Sequence, residues 1–121
     1  MKDEILYEEI LNFKIICDPV SEIVRFSLAS NKITIVNTLN AHSYIVQKSD
    51  SEFMEALNNS SYLVPDGSGI IFASKILKNK SIKKISGYDL FIETLLQLNN
   101  LNGKVFLLGS TDNVLFKMKE R

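Results

Sequence analysis

Three short motifs hold the side chains of this chain that could do chemistry. They are Thr38-Leu39-Asn40-Ala41-His42, Pro65-Asp66-Gly67-Ser68-Gly69 and Lys84-Ile85-Ser86-Gly87-Tyr88-Asp89. Each places small, polar or charged residues where an apolar run ends. Asp66 follows Tyr62-Leu63-Val64-Pro65. A carboxylate held partly buried at such a position suits general-base work. Gly67 and Gly69 would let a ligand approach the backbone closely. Asp-Gly is also a favoured turn pair, and Asp a helix cap; the turn and the base are compatible readings. Thr38 and Asn40 offer a hydroxyl and an amide to sugar hydroxyls or a phosphate. At i and i+2 they share a face if a strand reaches that far, while Asn40 also suits the cap of a helix beginning at Ala41. His42, the lone histidine, reads as a surface or packing residue. Lys84 is either a solvated lysine or a point charge on a diphosphate. Asp89 and Gly87 stand where a helix begins, and Asp89 also favours that end through the helix dipole.

These residues need a scaffold that brings strand ends together. Residues 5 to 11 alternate poorly and read as a short strand or helical turn. Residues 13 to 17 read as a short strand. Asp18-Pro19 predicts a helix start, with Asp as cap and Pro at the first helical position. Ile33-Thr34-Ile35-Val36 is β-branched throughout and predicts a buried strand. A helical pattern follows from Ala41 to Gln47. Another helix is capped by Ser49 or Asp50 and turns Phe53, Met54 and Leu57 inward. Tyr62 to Val64 predicts a strand, Gly67 to Leu77 a helix, and Tyr88 to Leu98 another. Val105 to Leu108 predicts a strand that ends at Gly109-Ser110. This junction resembles a phosphate cradle only in outline, because it lacks the dinucleotide fingerprint and the P-loop Gly-Lys-Ser/Thr. The last residues read as a helix cut short. Alternating strands and helices predict an α/β fold, a Rossmann-like parallel sheet with helices on both faces, truncated at the C-terminal side. Ligands of such sheets bind at the carboxyl ends of the strands.

Composition narrows the function classes. The chain has 121 residues, 45% hydrophobic and 23% charged, enough for one domain over 1–121 with a real core. Fourteen basic residues balance 14 acidic ones, which argues against a nucleic-acid partner. The one basic cluster is Lys75, Lys78, Lys80, Lys83 and Lys84. It reads as a solvated helix end and loop, or as attraction to an anionic ligand or membrane surface. Cys17 is the only cysteine, so no internal disulfide forms. This fits a reducing cytoplasmic compartment, and Cys17 reads as a small core residue. No run reaches the roughly 20 apolar residues of a membrane span. No cofactor is expected, and no carboxylate pair of the Asp-x-Asp type predicts a metal.

In order and spacing, Thr38-Leu39-Asn40, Asp66-Gly67-Ser68-Gly69, Lys84 to Asp89 and Phe106-Leu107-Leu108-Gly109 resemble the WecG/TagA/CpsF family of bacterial glycosyltransferases, glycosyltransferase family 26. The likeness covers about Ile33 to Ser110. It implies a UDP-N-acetylhexosamine donor, N-acetylmannosamine as the best reading. The implied acceptor is a polyprenyl-diphosphate-linked sugar at the inner face of the cell membrane, in wall or surface polysaccharide synthesis. It implies Asp66 as the catalytic base, with Thr38, Asn40, Gly67, Lys84, Gly87, Asp89 and Gly109 as substrate-binding residues. The resemblance also leaves room for a homo-oligomer. Two departures stand out. Lys84 replaces the family's usual arginine, keeping the charge without bidentate phosphate recognition. The family's catalytic domain also continues past residue 121, so the alternative expectation is a truncated nucleotide-sugar-binding remnant without turnover.

Overall fold

The computed structural model describes residues 4–120. Strands β1 (Tyr7–Ile10) and β2 (Phe13–Ile16) pair antiparallel, with Ile10 opposite Phe13. Leu11 and Asn12 form the loop, both at positive φ, 53° and 66°. This is the primed turn whose twist matches that of the flanking strands. Residues 7 to 10 are therefore strand rather than helical turn. The open end of the hairpin is tied twice. Cys17 N–H donates to Leu6 O at 2.8 Å, and Leu6 N–H donates to the Asp18 carboxylate at 2.6 Å. Asp18 is buried, and it does not cap the first helix as its sequence context predicts. Pro19 holds the N-cap of α1 (Val20–Ala29), without a side-chain cap bond. The carboxylate serves instead a backbone donor that would otherwise lack a partner next to the core.

Strands β3 (Val36–Leu39) and β4 (Tyr62–Pro65) pair in parallel, Val36 with Tyr62 through Leu39 with Pro65. The predicted strand at Ile33–Val36 is thus displaced toward the C-terminus, and Ile33 is 92% exposed. The ladder fixes this: β4 offers partners only from Tyr62 onward, and at its start Tyr62 N–H donates to Ile35 O at 3.1 Å while Ile35 N–H turns to the Ser61 hydroxyl at 3.0 Å. β2 lies beside β4, so the strands share two apolar layers. On one side Phe13, Ile15, Leu39 and Leu63 meet Leu57 and Ile70, with Tyr44 and Phe53 packed against them. On the other side Ile16 and Val64 meet Ile23 and Ile85, with Val20 and Leu90. Neighbouring residues of one strand, Ile15 with Ile16 and Leu63 with Val64, feed opposite layers, as the two-residue strand period requires. Helices therefore cover both faces: α2 (Ala41–Val46), α3 (Ser51–Asn58) and α4 (Ser68–Lys78) on one, α1 and α5 (Gly87–Asn100) on the other.

Local chemistry sets the helix ends. Asp50 caps α3 by accepting from Phe53 N–H at 2.9 Å. α4 ends at Asn79, whose φ of 50° is left-handed. The buried Ser74 hydroxyl then donates to Lys80 O at 3.0 Å and holds the departing chain. α5 ends in a Schellman motif: Gly103 N–H donates to Leu98 O at 2.8 Å, and Asn102 N–H to Asn99 O at 3.3 Å. A Cβ on Gly103 would sit 2.4 Å from the Leu98 Cδ2, so any larger residue there makes the Leu98 side chain shift. The predicted strand over Val105–Leu108 has no ladder partner among the described residues. Phe106 is 87% and Leu108 91% exposed. α6 (Asp112–Lys119) closes the described chain.

Candidate functional site

The carboxyl ends of β3 and β4 and the loop before α5 meet at one edge. Asp66 N–H donates to Leu39 O at 2.9 Å, extending the parallel ladder by one bond. Ile85 N–H donates to Pro65 O at 2.8 Å and ties the Lys84–Gly87 loop to the same strand end. All three motifs are thereby joined through the backbone. The N-termini of α2, α4 and α5 all start from this edge, and the dipoles of the two longer helices, α4 and α5, favour negative charge there.

Asp66 is half-buried, and its carboxylate makes no hydrogen bond or ion pair among the described residues. Gly67 follows at φ 91° and ψ 154°, a conformation that strains any residue with a Cβ. It is the N-cap of α4 and has no side chain to give, so the first N–H groups of α4 are not capped by a side chain. A Cβ on Gly67 would lie 3.8 Å from the Asn40 Cβ, and one on Gly69 would lie 3.2 Å from the Ala41 Cβ. The start of α4 thus packs closely against the start of α2, and Gly69 has little room for anything larger.

Asn40 does not continue the strand. It turns out as the N-cap of α2, with Oδ1 accepting from Ser43 N–H at 2.8 Å, while Asn40 N–H donates to Ser43 Oγ at 2.9 Å. The amide is held in place with Oδ1 committed, and Nδ2 makes no hydrogen bond among the described residues. Thr38 and Asn40 therefore do not share a strand face. Thr38 lines a cavity of about 520 Å³ together with Gly87, Asn37, Leu90, Phe91 and residues of α1, while Asn40 meets Gly67.

Lys84 and Asp89 lie together on a second, smaller cavity of about 350 Å³, beside Pro19, Val20 and Tyr88. Asp89 completes a capping box. Its carboxylate accepts from Ser86 Oγ at 2.7 Å and Ser86 N–H at 2.9 Å. These bonds, with a smaller contribution from the Lys84 charge, hold the Asp89 carboxyl below the usual aspartate range. Gly109 stands apart from the edge group, at φ 123°, with open space where a Cβ would be. The structure therefore brings Asp66, Gly67 and Asn40 together, joins Thr38 with Gly87 and Lys84 with Asp89, and leaves Gly109 in the exposed segment.

Two positioning residues, Ser43 and Ser86, escaped the reading of the motifs. Both sit three residues from their partners, Asn40-x-x-Ser43 and Ser86-x-x-Asp89, the spacing of a capping box. Cys17 is partly buried, and burial first, then the Glu8 and Asp18 charges, push its thiol up. It stays protonated, consistent with a packing role.

Comparison with known proteins gives these motifs a context. The glycosyl transferase WecG/TagA/CpsF family matches residues 9–121. A protein of Bacillus subtilis (strain 168), named N-acetylglucosaminyldiphosphoundecaprenol N-acetyl-beta-D-mannosaminyltransferase, is 28% identical over 67% of this chain and 32% of its own length. A protein of Staphylococcus aureus (strain NCTC 8325 / PS 47) with the same name is 34% identical over 72% of this chain and 34% of its own. One of Bacillus spizizenii, also so named, is 26% identical over 84% and 40%. The chain thus spans about a third of the length of the curated relatives it matches. With the family matched along nearly the whole chain and its motifs joined at one sheet edge, this chain belongs to the WecG/TagA/CpsF family of glycosyl transferases.

Proposed function

We propose that this chain carries the acceptor side and catalytic base of a glycosyltransferase. The transferase moves an N-acetylhexosamine, N-acetylmannosamine by the names of the relatives, from a UDP-sugar to a polyprenyl-diphosphate-linked sugar. One observation carries the reading: Asp66 offers a half-buried carboxylate without a partner among the described residues, at an edge where α4 and α5 begin. Its oxygen takes the proton of the acceptor hydroxyl as the hydroxyl oxygen attacks the anomeric carbon. The new glycosidic bond forms there. The bond from that carbon to the donor's diphosphate oxygen breaks, and the electron pair leaves with UDP. Lys84 and the starts of α4 and α5 supply positive potential for the diphosphate. Thr38, the Nδ2 of Asn40, Gly67 and Gly87 contact the sugars. Asp89 fixes the start of α5 through Ser86, while Gly109 lies apart from this edge in the exposed segment before α6. The product feeds a wall or surface polysaccharide. The site works at the inner membrane face, and no helix among the described residues is long and apolar enough to cross the membrane.

A second reading is a nucleotide-sugar-binding unit without turnover. Measuring transfer to a short-chain lipid-diphosphate acceptor alongside calorimetric binding of UDP-sugar separates the two. Transfer that is lost in Asp66→Asn, with UDP-sugar binding kept, supports the base. Transfer that Asp66→Asn leaves unchanged removes Asp66 from the chemistry. Binding without any transfer supports the second reading.

A further inference from the structure

β3 has a bare side. In its ladder with β4, Tyr62 N–H donates to Ile35 O and Asp66 N–H to Leu39 O. Successive residues of a strand aim their N–H and C=O groups to opposite sides. Ile35 and Leu39 therefore face β4, and the backbone groups of Val36 and Thr38 face away from it. No strand pairs with that side among the described residues. Val36 and Thr38 are half-buried, and both line the cavity of about 520 Å³ between Leu28 of α1 and Leu90 and Phe91 of α5. A hydrocarbon in this groove would leave the backbone groups unmet, which is costly. An extended strand would meet them and give the walls apolar side chains as well.

The run Val105–Leu108 has the complementary defect: apolar side chains and no ladder partner among the described residues. Phe91 lines both the groove at β3 and the cavity that holds Val105, Phe106 and Leu107, so the two share a wall. Direction and length also fit. α5 sets out from the carboxyl edge at Gly87 and is 14 residues long, about 21 Å. The chain that turns back at Gly103 and returns to that edge runs parallel to β3, and the six residues from Lys104 to Gly109 span about 20 Å. A helix is the connection that parallel strands need. Left-handed residues stand at both ends of the run, Asn102 at φ 50° before it and Gly109 and Ser110 at 123° and 64° after it. These are turns about which the run can swing.

We propose that Leu101–Ser110 is a strap, and that its Val105–Leu108 run closes onto the free side of β3 as a parallel strand when a diphosphate occupies the carboxyl edge. The structure shows the strap open. Closing carries Gly109, Ser110 and the start of α6 to the edge, next to Thr38. α6 has no side-chain cap, so its first N–H groups are available to an anion there. The anion binds the closed form better and shifts the population toward it. Without the anion, the entropy lost on ordering the strap holds it open. The short connection Leu101–Lys104 keeps the run near its own β3, which favours it over the same run of a second copy. The inference rests on the reading that this edge takes the donor's diphosphate, and it says how Gly109 reaches the site.

Amide hydrogen exchange at Val36 and Thr38 reads the closure. Saturating UDP should slow both at least about tenfold relative to the chain alone, together with the amides of Val105–Leu108. Because neighbouring residues face opposite sides, one of Phe106→Pro and Leu107→Pro removes a donor aimed at β3. At least one of the two should abolish the slowing at Val36, with UDP still bound, though more weakly, in calorimetry. UDP binding without slowing at Val36 and Thr38, or slowing that survives both prolines, overturns the strap and leaves the donor reading standing. No binding of UDP to the native chain overturns the donor reading, and the ligand-driven closure with it. Slowing that grows with protein concentration, alongside a dimer in sedimentation, overturns the strap, because the strand of a second copy then fills the groove.

Discussion

The edge holding Asp66 and the segment from Leu101 to Ser110 are written in similar letters and end differently. Both have an apolar run followed by glycine and small polar residues: Tyr62-Leu63-Val64-Pro65-Asp66-Gly67 and Val105-Phe106-Leu107-Leu108-Gly109-Ser110. In the first, Leu63 and Val64 are buried in opposite core layers, and every residue of the strand has a ladder partner. In the second, Phe106 and Leu108 face solvent and no ladder forms among the described residues. β-propensity is equal to the task in both. What separates them is a neighbouring strand and two apolar layers, because strand preference is largely the energy of packing on a half-buried surface. The comparison teaches that a site can be assembled only where a strand end is held on both sides. Asp66 is so held, by Leu39 through the ladder and by the loop bonded to Pro65.

The largest expected effect separates chemistry from fold at the held edge. Asp66→Asn keeps the shape and removes the base. Transfer by a competent enzyme should fall about 10²- to 10⁴-fold, with the thermal midpoint nearly unchanged, because the carboxylate has no partner to lose among the described residues. A midpoint that drops steeply would show that the carboxylate is structural, and the contrast with ordinary strand ends would disappear.

Next in size is a paired test of the two apolar runs. Leu63→Ala empties a buried site in the layer shared with Ile15, Leu57 and Ile70 and should cost about 2–5 kcal/mol in a urea titration. Phe106→Ser, at an exposed position, should stay within about 0.5 kcal/mol. A cost at Phe106 comparable to that at Leu63 would mean that the segment is packed in solution, and the comparison would break.

Much of this arrangement was legible in the sequence, and the failures have physical causes. The helices after Asn40 and Asp50 follow from caps and apolar spacing, α4 and α5 from apolar spacing, and all four form close to where expected. The β3 boundary was misread because Ile33 and Ile35 carry the strongest strand propensity, while the ladder is set by where β4 begins. Propensity is local and register is not. The hairpin was missed because Leu11-Asn12 lacks the glycine that usually marks a primed turn. Of the site, the three motifs were visible, and so was their meeting at strand ends. The cap role of Asn40 was legible too, as one of two readings; what decides between cap and strand face is where the strand stops, which the motif alone does not say.

Asp18 gives a smaller effect and sharpens the contrast with Asp66. It is buried and accepts from Leu6 N–H at 2.6 Å. Asp18→Ala leaves that donor unmet and should cost about 1–3 kcal/mol, with faster hydrogen exchange at Leu6 and Cys17 and little change in binding at the edge. An unchanged exchange rate at Leu6 would show that the hairpin closes without the carboxylate.

The smallest effect lies in the pH dependence of α5. Asp89 is fully exposed, and its two bonds from Ser86 lower its carboxyl in the folded chain. A group whose folded value is depressed contributes stability at pH above its unfolded value, and loses it as the pH falls through the lower, folded value. The capping box should therefore hold at neutral pH and open only in acid, below the usual aspartate range. Ser86→Ala removes the largest cause of the shift. The Asp89 carboxyl, followed by its carbon chemical shift, should then titrate at a higher pH, with a small loss of helix at the start of α5. Were the midpoint to stay where it was, the Ser86 backbone N–H, which alanine keeps, and the Lys84 charge would be holding Asp89 without the hydroxyl.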